Sequence, residues 1–303
     1  MSDHYFYDME QGWPKLLRHV MQSGHDVRPR GIPTLERENV SFTLLDPTKS
    51  VVTDPRRALN HAFSAVEFMW VISGQDEVET LTYFNSRMRD FADQPLHHAD
   101  GTETLNARLF GAYGPPIVAQ LPYVVANLKA DPDSRQAVVT IWRQSPPRTK
   151  DVPCTVMLQY LLRAPHVGAP RQLNALTVMR SNDLWLGTPY DVPLFCRVQQ
   201  YVAARLGVDV GTYTHIAGST HIYASNFEAV EKIIAAPAER AERPDELVVG
   251  KLDPDTRTDQ VWRAVQDARY AEQAKVYGEG WNGLVRLAEE YAARKRAKEA
   301  VHG

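Results

Sequence analysis

Three apolar runs typical of β-strands follow one another in the middle of this chain, at residues 137–142, 155–163 and 172–179. Helical spacing of apolar residues is grouped before and after these runs. It predicts helices over residues 54–72 and 115–129, the latter broken at Pro122, and most clearly over residues 190–206. Strands and helices are therefore segregated along the chain and do not alternate regularly. This pattern predicts an α+β fold rather than a doubly wound parallel sheet.

Composition narrows the possible functions. The 303 residues are 44% hydrophobic and 23% charged, with a formal net charge of −3, enough for one large domain or two small ones. The clustered Lys and Arg that nucleic acid requires are missing, so we expect no nucleic-acid partner. We also expect no membrane association, because no apolar stretch approaches the roughly 20 residues of a span. Two cysteines and the lack of a signal-peptide pattern fit a soluble cytoplasmic protein.

Cys154 follows Pro153 at the start of an apolar run, so its thiol is expected at the edge of a sheet. An isolated cysteine is more often a buried structural residue, and Cys196, inside a helical apolar pattern, is expected to be one. What distinguishes Cys154 is the series of motifs downstream. These are Arg180-Ser181-Asn182-Asp183, Gly187-Thr188-Pro189-Tyr190-Asp191 and His221-Ile222-Tyr223.

In this order, the thiol and these motifs closely resemble the active-site half of the thymidylate synthase family. The resemblance covers roughly residues 9–235 and is specific from 152 to 223. It implies a thymidylate synthase-like mixed β-sheet with flanking helices, one sheet face being packed in a homodimer with shared active sites. We expect a single catalytic domain over residues 1–303, in which 255–303 form a helical, charged C-terminal extension. The implied substrates are a pyrimidine nucleoside monophosphate and 5,10-methylenetetrahydrofolate.

The chemistry explains why such an enzyme needs a cysteine. C5 of a pyrimidine is a poor nucleophile until a thiolate adds to C6 and makes C5 enamine-like, which is covalent catalysis. A thiol ionises near neutral pH only beside positive charge. Arg180 is the matching cation for Cys154, and the resemblance also assigns it to the nucleotide phosphate.

Arginine suits a phosphate because its planar fork donates two parallel hydrogen bonds. Arg30 and Arg135 are the other candidates, and Ser181 would add a hydroxyl. Arg28 could exchange places with Arg30. Arg135 resembles the family segment that crosses the dimer interface, where a second arginine is usual but Gln136 stands here.

The resemblance implies further roles. His221 and Tyr223, two apart on an extended segment and hence on one face, match the pair that holds the sugar 3′-hydroxyl. Glu67, a carboxylate inside an apolar helix, is the expected general acid/base, since burying a charge is costly without a purpose. Tyr113 matches the family tyrosine near C5. Four residues are assigned to the folate cleft: Asp183 as the pterin contact, with Leu186, Gly187 and Tyr190.

Asp191 departs from the thymidylate synthases, which carry asparagine after the aromatic residue, and agrees with the deoxycytidylate hydroxymethylases. Uracil presents an acceptor at C4 and a donor at N3, which an amide matches. Cytosine presents an amine at C4 and an acceptor at N3, which match a carboxyl group that shares a proton with N3. The alternative is that Asp191 only caps the helix before Val192-Pro193.

Two other departures favour addition of water over transfer of hydride. Residues 85–91 lack the tryptophan that thymidylate synthases place near the folate, and Thr155 stands where the family has a histidine. We therefore expect a 5-hydroxymethylase acting on dCMP or CMP. The sequence does not decide between the ribose and the deoxyribose nucleotide, nor does it identify the pathway. A thymidylate synthase acting on dUMP and a non-catalytic nucleotide-binding regulator are the alternatives. Residues 300–303 do not resemble the family's apolar closing tail, so the mode of closure also stays open.

Overall fold

The computed structural model describes residues 4–92, 108–143, 149–236, 252–268 and 279–302. These residues form two units, which are described separately. The first unit contains residues 4–59, 123–139 and 154–236. The second contains residues 60–92, 108–122, 140–143, 149–153, 252–268 and 279–302. A single catalytic domain over residues 1–303 stays a prediction.

Seven strands of the described chain form one mixed sheet. They are β1 (His4–Phe6), β2 (His25–Val27), β3 (Thr34–Leu44), β4 (Val138–Thr140), β5 (Thr155–Arg163), β6 (Gln172–Asp183) and β7 (Asp209–Tyr223). The order is β1-β3-β7-β6-β5-β4, and β2 pairs with β3. β3 and β5 run antiparallel to their neighbours β7 and β6, whereas β6 and β7 are parallel to each other.

In the sequence, the helices lie before and after the consecutive strands β4, β5 and β6, as the α+β prediction requires. They are α1 (Met9–Ser23), α2 (His61–Ile72), α3 (Glu79–Phe84), α4 (Met88–Phe91), α5 (Gly114–Ala130), α6 (Thr188–Leu206), α7 (Phe227–Ala235), α8 (Thr258–Ala268) and α9 (Glu279–His302). The mixed α+β class is confirmed. No helix among the described residues is both long and apolar enough to cross a membrane.

α6 links the two parallel strands β6 and β7, because parallel neighbours need a crossover that a short turn cannot supply. Leu194, Val198 and Val202 are fully buried on one face of this helix, as its spacing predicts. Cys196 is also fully buried, and burial raises the pKa of its thiol. The expectation that Cys196 is a core residue is therefore confirmed.

Some predicted helix bounds are wrong for local reasons. The helix expected from residue 54 begins only at His61, where the Asn60 side chain accepts from the Phe63 amide at 3.0 Å and caps it. α5 continues through Pro122, where a break was expected. A proline there removes one helical hydrogen bond, to the carbonyl of Val118, which is exposed to solvent.

The C-terminal helices contribute to the core of the second unit. α8 and α9 pack against α2, and Trp281 of α9 stacks on Phe68 with ring centroids 5.7 Å apart. Trp281 and Leu284 are fully buried. The described part of the predicted charged extension thus contains two helices, and one side of them is apolar and buried.

Candidate active site

Strand ends in the first unit bring the main sequence-predicted residues together. The Arg180 amide donates to the carbonyl oxygen of Cys154 at 2.8 Å, so the thiol-bearing residue lies beside the end of β6. On the other side of β6, Asp183 pairs with His221 of β7. Cys154 is half-buried at the start of β5, and Arg180 is exposed. The thiol, the arginine, the carboxylate and the imidazole therefore belong to three adjacent strands.

The start of β3 adds a fourth strand to this edge. Tyr223 pairs with Thr34, and the Arg30 guanidinium donates to the Tyr223 hydroxyl at 3.4 Å. Arg30 has a φ of +52°, a left-handed conformation that is uncommon outside glycine and often found at functional sites. The rings of His221 and Tyr223 meet edge to face at 5.1 Å, so the predicted pair lies on one side of the site.

The two carboxylate oxygens of Asp183 have different hydrogen-bonding surroundings. Oδ1 accepts from the amides of Trp185 at 2.7 Å and Leu186 at 3.0 Å, so it holds the turn after β6. Oδ2 is buried and has no hydrogen-bond partner among the described residues, and the same is true of His221 Nδ1. Burial raises the pKa of Asp183 and lowers the pKa of His221, although the two charges attract each other. Two unsatisfied buried polar atoms on adjacent strands indicate a place where a polar ligand binds.

Two side chains distant in the sequence stabilise the turn after Asp183 by hydrogen bonds. The indole N–H of Trp13 donates to the Leu184 carbonyl at 2.7 Å, and the Arg57 guanidinium donates to the Trp185 carbonyl at 2.9 Å. Arg57 also lies 4.7 Å from the centre of the Trp185 ring. Leu186, at the tip, is exposed. The sequence contains no local signal for this support, because Arg57 is 128 residues from its acceptor.

Asp191 lies inside the first turn of α6. The helix begins at Thr188 with Gly187 as its N-cap, so the alternative in which Asp191 caps the helix is wrong. Asp191 is half-buried, and its Oδ2 accepts from Asn182 Nδ2 at 2.7 Å. Burial, and to a smaller extent the charge of Asp183, raise the pKa of Asp191 to about 6 against the opposing effect of the Asn182 hydrogen bond.

Gly187 leaves the space for this contact. A Cβ built on Gly187 would lie 2.9 Å from Asp191 Oδ2 and 3.2 Å from Asn182 Nδ2. Its φ of −91° is ordinary for any residue, so the requirement for glycine comes from close approach alone. Asn182 was missed from the sequence because it fills the variable position of the Arg-Ser-x-Asp motif.

Three other predicted site residues, Ser181, Tyr190 and Arg135, also belong to the first unit. Ser181 follows Arg180 on β6 and is half-buried, and Tyr190 is half-buried in the first turn of α6. Arg135 is exposed just before β4, and its carbonyl accepts from the Gln159 side chain at 3.0 Å. A phosphate contact from Arg135 across a dimer interface stays a prediction.

Glu67 and Tyr113 belong to the second unit. Glu67 is half-buried on α2 between fully buried Val66 and Phe68, in keeping with a carboxylate inside an apolar helix. Tyr113 is half-buried immediately before α5. Their roles as acid/base and C5 neighbour stay predictions. Across the described residues there is no cluster of His, Cys, Asp and Glu that could hold a metal ion.

Comparison with known proteins gives a consistent result. The sequence model described as thymidylate synthase matches residues 11–279. A deoxyuridylate hydroxymethyltransferase of Bacillus phage SP01 is 30% identical over 264 residues, covering 80% of this chain and 66% of the relative. A protein of the same name from Pseudomonas phage M6 is 26% identical over 260 residues, covering 82% of this chain and 70% of the relative. The chain thus spans about two thirds of the length of these curated relatives.

Proposed function

Because this chain belongs to the thymidylate synthase family, we propose that it is a pyrimidine nucleotide 5-hydroxymethylase. It transfers a one-carbon unit from 5,10-methylenetetrahydrofolate, the co-substrate of the family, to C5 of a nucleoside monophosphate, and water completes the hydroxymethyl group. The observation that carries this proposal is the arrangement at the ends of adjacent strands, where Arg180 bonds the backbone of Cys154 and Asp183 pairs with His221.

Cys154 performs the covalent step. Its thiolate adds to C6, and the electron pair of the C5–C6 double bond becomes available at C5, which forms the bond to the one-carbon unit. C5 then loses its proton, and the bond between the new carbon and the folate nitrogen breaks, which releases tetrahydrofolate. Water adds to the new carbon, and the C6–S bond breaks to return the thiolate. When bound, the folate supplies a methylene group at the oxidation level of formaldehyde, so addition of water needs no oxidant or reductant.

The buried polar atoms fit the two substrates. Asp183 Oδ2 offers an unsatisfied acceptor to the amino and N–H edge of a pterin. The role of bonding the sugar 3′-hydroxyl falls to His221 and Tyr223, and it is supported by the unpartnered His221 Nδ1 and by the contact between the two rings. Arg180 and Arg30 supply positive charge for the phosphate, and the contact of Arg30 with Tyr223 favours Arg30 over Arg28 in this role.

Asp191 supports a cytosine base, hence dCMP or CMP. A neutral carboxyl group has one acceptor and one donor oxygen, and it can accept from the C4 amine and donate to N3. Burial favours this neutral form by raising the pKa of Asp191. The second candidate is dUMP, favoured by the names of both phage relatives. The same neutral carboxyl group matches uracil when its proton lies on the other oxygen.

A homodimer is part of the proposal. One face of the sheet carries apolar side chains that are only half-buried. Val178 of β6 is in register with Ile216 of β7, and Leu161 and Leu176 lie on the same face. An apolar sheet face of this kind favours a second copy as its cover. A two-fold interface would give each site a contribution from both chains.

Turnover measured side by side with dCMP, CMP and dUMP in the presence of methylenetetrahydrofolate tests the function. Mass spectrometry of the product separates hydroxymethylation from methylation. We expect a cytosine nucleotide to be the best substrate, and Asp191→Asn to shift the preference toward dUMP by about ten- to a hundredfold. A wild type that methylates dUMP, or that turns over none of the three, contradicts the proposal.

A further inference from the structure

We propose that Asn182 decides which oxygen of the Asp191 carboxyl carries the proton, and that it thereby acts as a positioning residue for recognition of the base. The inference rests on the proposed function of this site, and it extends that function to a residue that does not itself need to touch the substrate.

The orientation of the Asn182 amide is set by Thr188. Thr188 is fully buried, and its hydroxyl donates to Asn182 Oδ1 at 2.5 Å, the shorter of its two contacts. With the amide oxygen held there, the amide nitrogen must face Asp191, where it donates to Oδ2 at 2.7 Å. Asn182 is itself buried, so solvent does not compete for either group.

A carboxyl group that binds a pyrimidine edge needs one bare and one protonated oxygen. Cytosine requires the bare oxygen opposite the C4 amine and the proton opposite N3, and uracil requires the reverse. An N–H donor bonds a bare carboxyl oxygen more strongly than a protonated one, so the Asn182 contact favours a bare Asp191 Oδ2 and the proton on Oδ1. The two oxygens therefore stop being equivalent, and the carboxyl presents one pattern to the base.

Asn182 is the residue that can distinguish the two oxygens of Asp191. Among the residues that the structure describes, it is the one side-chain donor to the Asp191 carboxyl. The charged or titratable groups facing that carboxyl are Asp183, which raises its pKa, and the buried Tyr213, whose own pKa is raised in part by Asp191. Neither donates to Oδ2. The absence of a side chain at Gly187 keeps the contact open.

Without the Asn182 donor, the proton can lie on either oxygen and the carboxyl accommodates both bases. The test is Asn182→Leu, which keeps a similar shape without the donor, measured by calorimetric binding of dCMP and of dUMP. We expect the ratio of the two affinities to move about tenfold toward one, the usual size of a lost buried hydrogen bond. Asn174→Leu is the matched control, since Asn174 lies on the same strand but bonds the Thr212 amide.

A pH series separates positioning from a merely structural role. Because the Asn182 hydrogen bond favours the charged carboxylate, its loss raises the pKa of Asp191, and the pH at which nucleotide binding declines should rise. The control should shift neither quantity. If Asn182→Leu does not fold, Thr188→Val, which leaves the amide free to turn, should move the ratio in the same direction.

Two outcomes overturn the inference alone. These are a wild type that binds both bases equally, and a folded Asn182→Leu protein with an unchanged ratio and pH profile. A wild type that binds neither nucleotide overturns the proposed function as well. The expected loss of discrimination does not depend on which base the wild type prefers, so an incorrect assignment of cytosine leaves the test intact.

Discussion

Replacing Asp191 with asparagine is expected to stabilise the free protein at neutral pH and to leave its stability almost unchanged in acid. Burial raises the pKa of this carboxyl from 3.8 to about 6. At about 1.4 kcal/mol per pKa unit, the shift corresponds to a cost of about 3 kcal/mol when the group is ionised. An asparagine at this position carries no charge, so this cost is absent in the variant.

The direction in which the free energy of unfolding changes with pH follows from proton linkage. Between the two pKa values the folded protein binds more protons at this site than the unfolded chain, so the free energy of unfolding falls as pH rises through this window. Below about pH 4 both states are protonated and the site contributes little. Above about pH 6 the full cost is present, and this is the cost that asparagine removes.

Urea unfolding of the wild type and Asp191→Asn near pH 4 and near pH 8 measures the effect. We expect the difference in free energy of unfolding to be close to zero in acid and as much as about 3 kcal/mol in favour of the variant in base. Asp259→Asn is the control, because the hydrogen bond from Arg257 lowers the pKa of Asp259 and the stabilisation it provides is lost as pH falls. A stabilisation by Asp191→Asn of equal size at both pH values would refute the reasoning.

Cys154→Ala should abolish turnover and the exchange of the pyrimidine H5 with solvent while nucleotide binding survives, whereas Cys196→Ala should retain exchange if it folds. Persistent exchange without Cys154 would exclude that residue as the nucleophile. A mixture of Cys154→Ala and Arg135→Ala proteins should regain part of the activity through heterodimers with one intact site. No recovery after proven subunit exchange would remove Arg135 from the neighbouring site. Gly187→Ala should reduce base discrimination about tenfold, because the added Cβ would lie 2.9 Å from Asp191 Oδ2. Unchanged discrimination would show that the helix shifts at little cost to make room for the Cβ.

The order of predicted strands and helices along the sequence was sufficient to predict the fold class, and the role of the Cys154 thiol stays a prediction. Runs of strand-forming residues without regular alternation with helices indicate α+β, and the confirmed class follows from that local pattern. The proximity of Arg180 and Asp183 along β6 was also accessible, because residues on one strand keep fixed spacings and alternate between its two faces. His221 and Tyr223 share a face for the same reason.

Bounds that depend on a single competing interaction were less accessible. The continuation of α5 through Pro122 and the late start of α2 at His61 depend on solvent near Val118 and on the Asn60 cap. Likewise, the start of α6 at Thr188 removed the capping role that the sequence left open for Asp191. Local propensity favours a helix in these regions but does not say at which residue it begins or ends.

Only the tertiary structure identified Asn182, Thr188 and Arg57 as parts of the site. Their contacts depend on the direction of an amide, on the path of the turn between β6 and α6, and on a residue 128 positions from its acceptor. A hydrogen bond is specified by distances of tenths of an ångström and by angle. Sequence spacing determines which face of a strand a side chain lies on, and it cannot determine which of two carboxyl oxygens meets a donor.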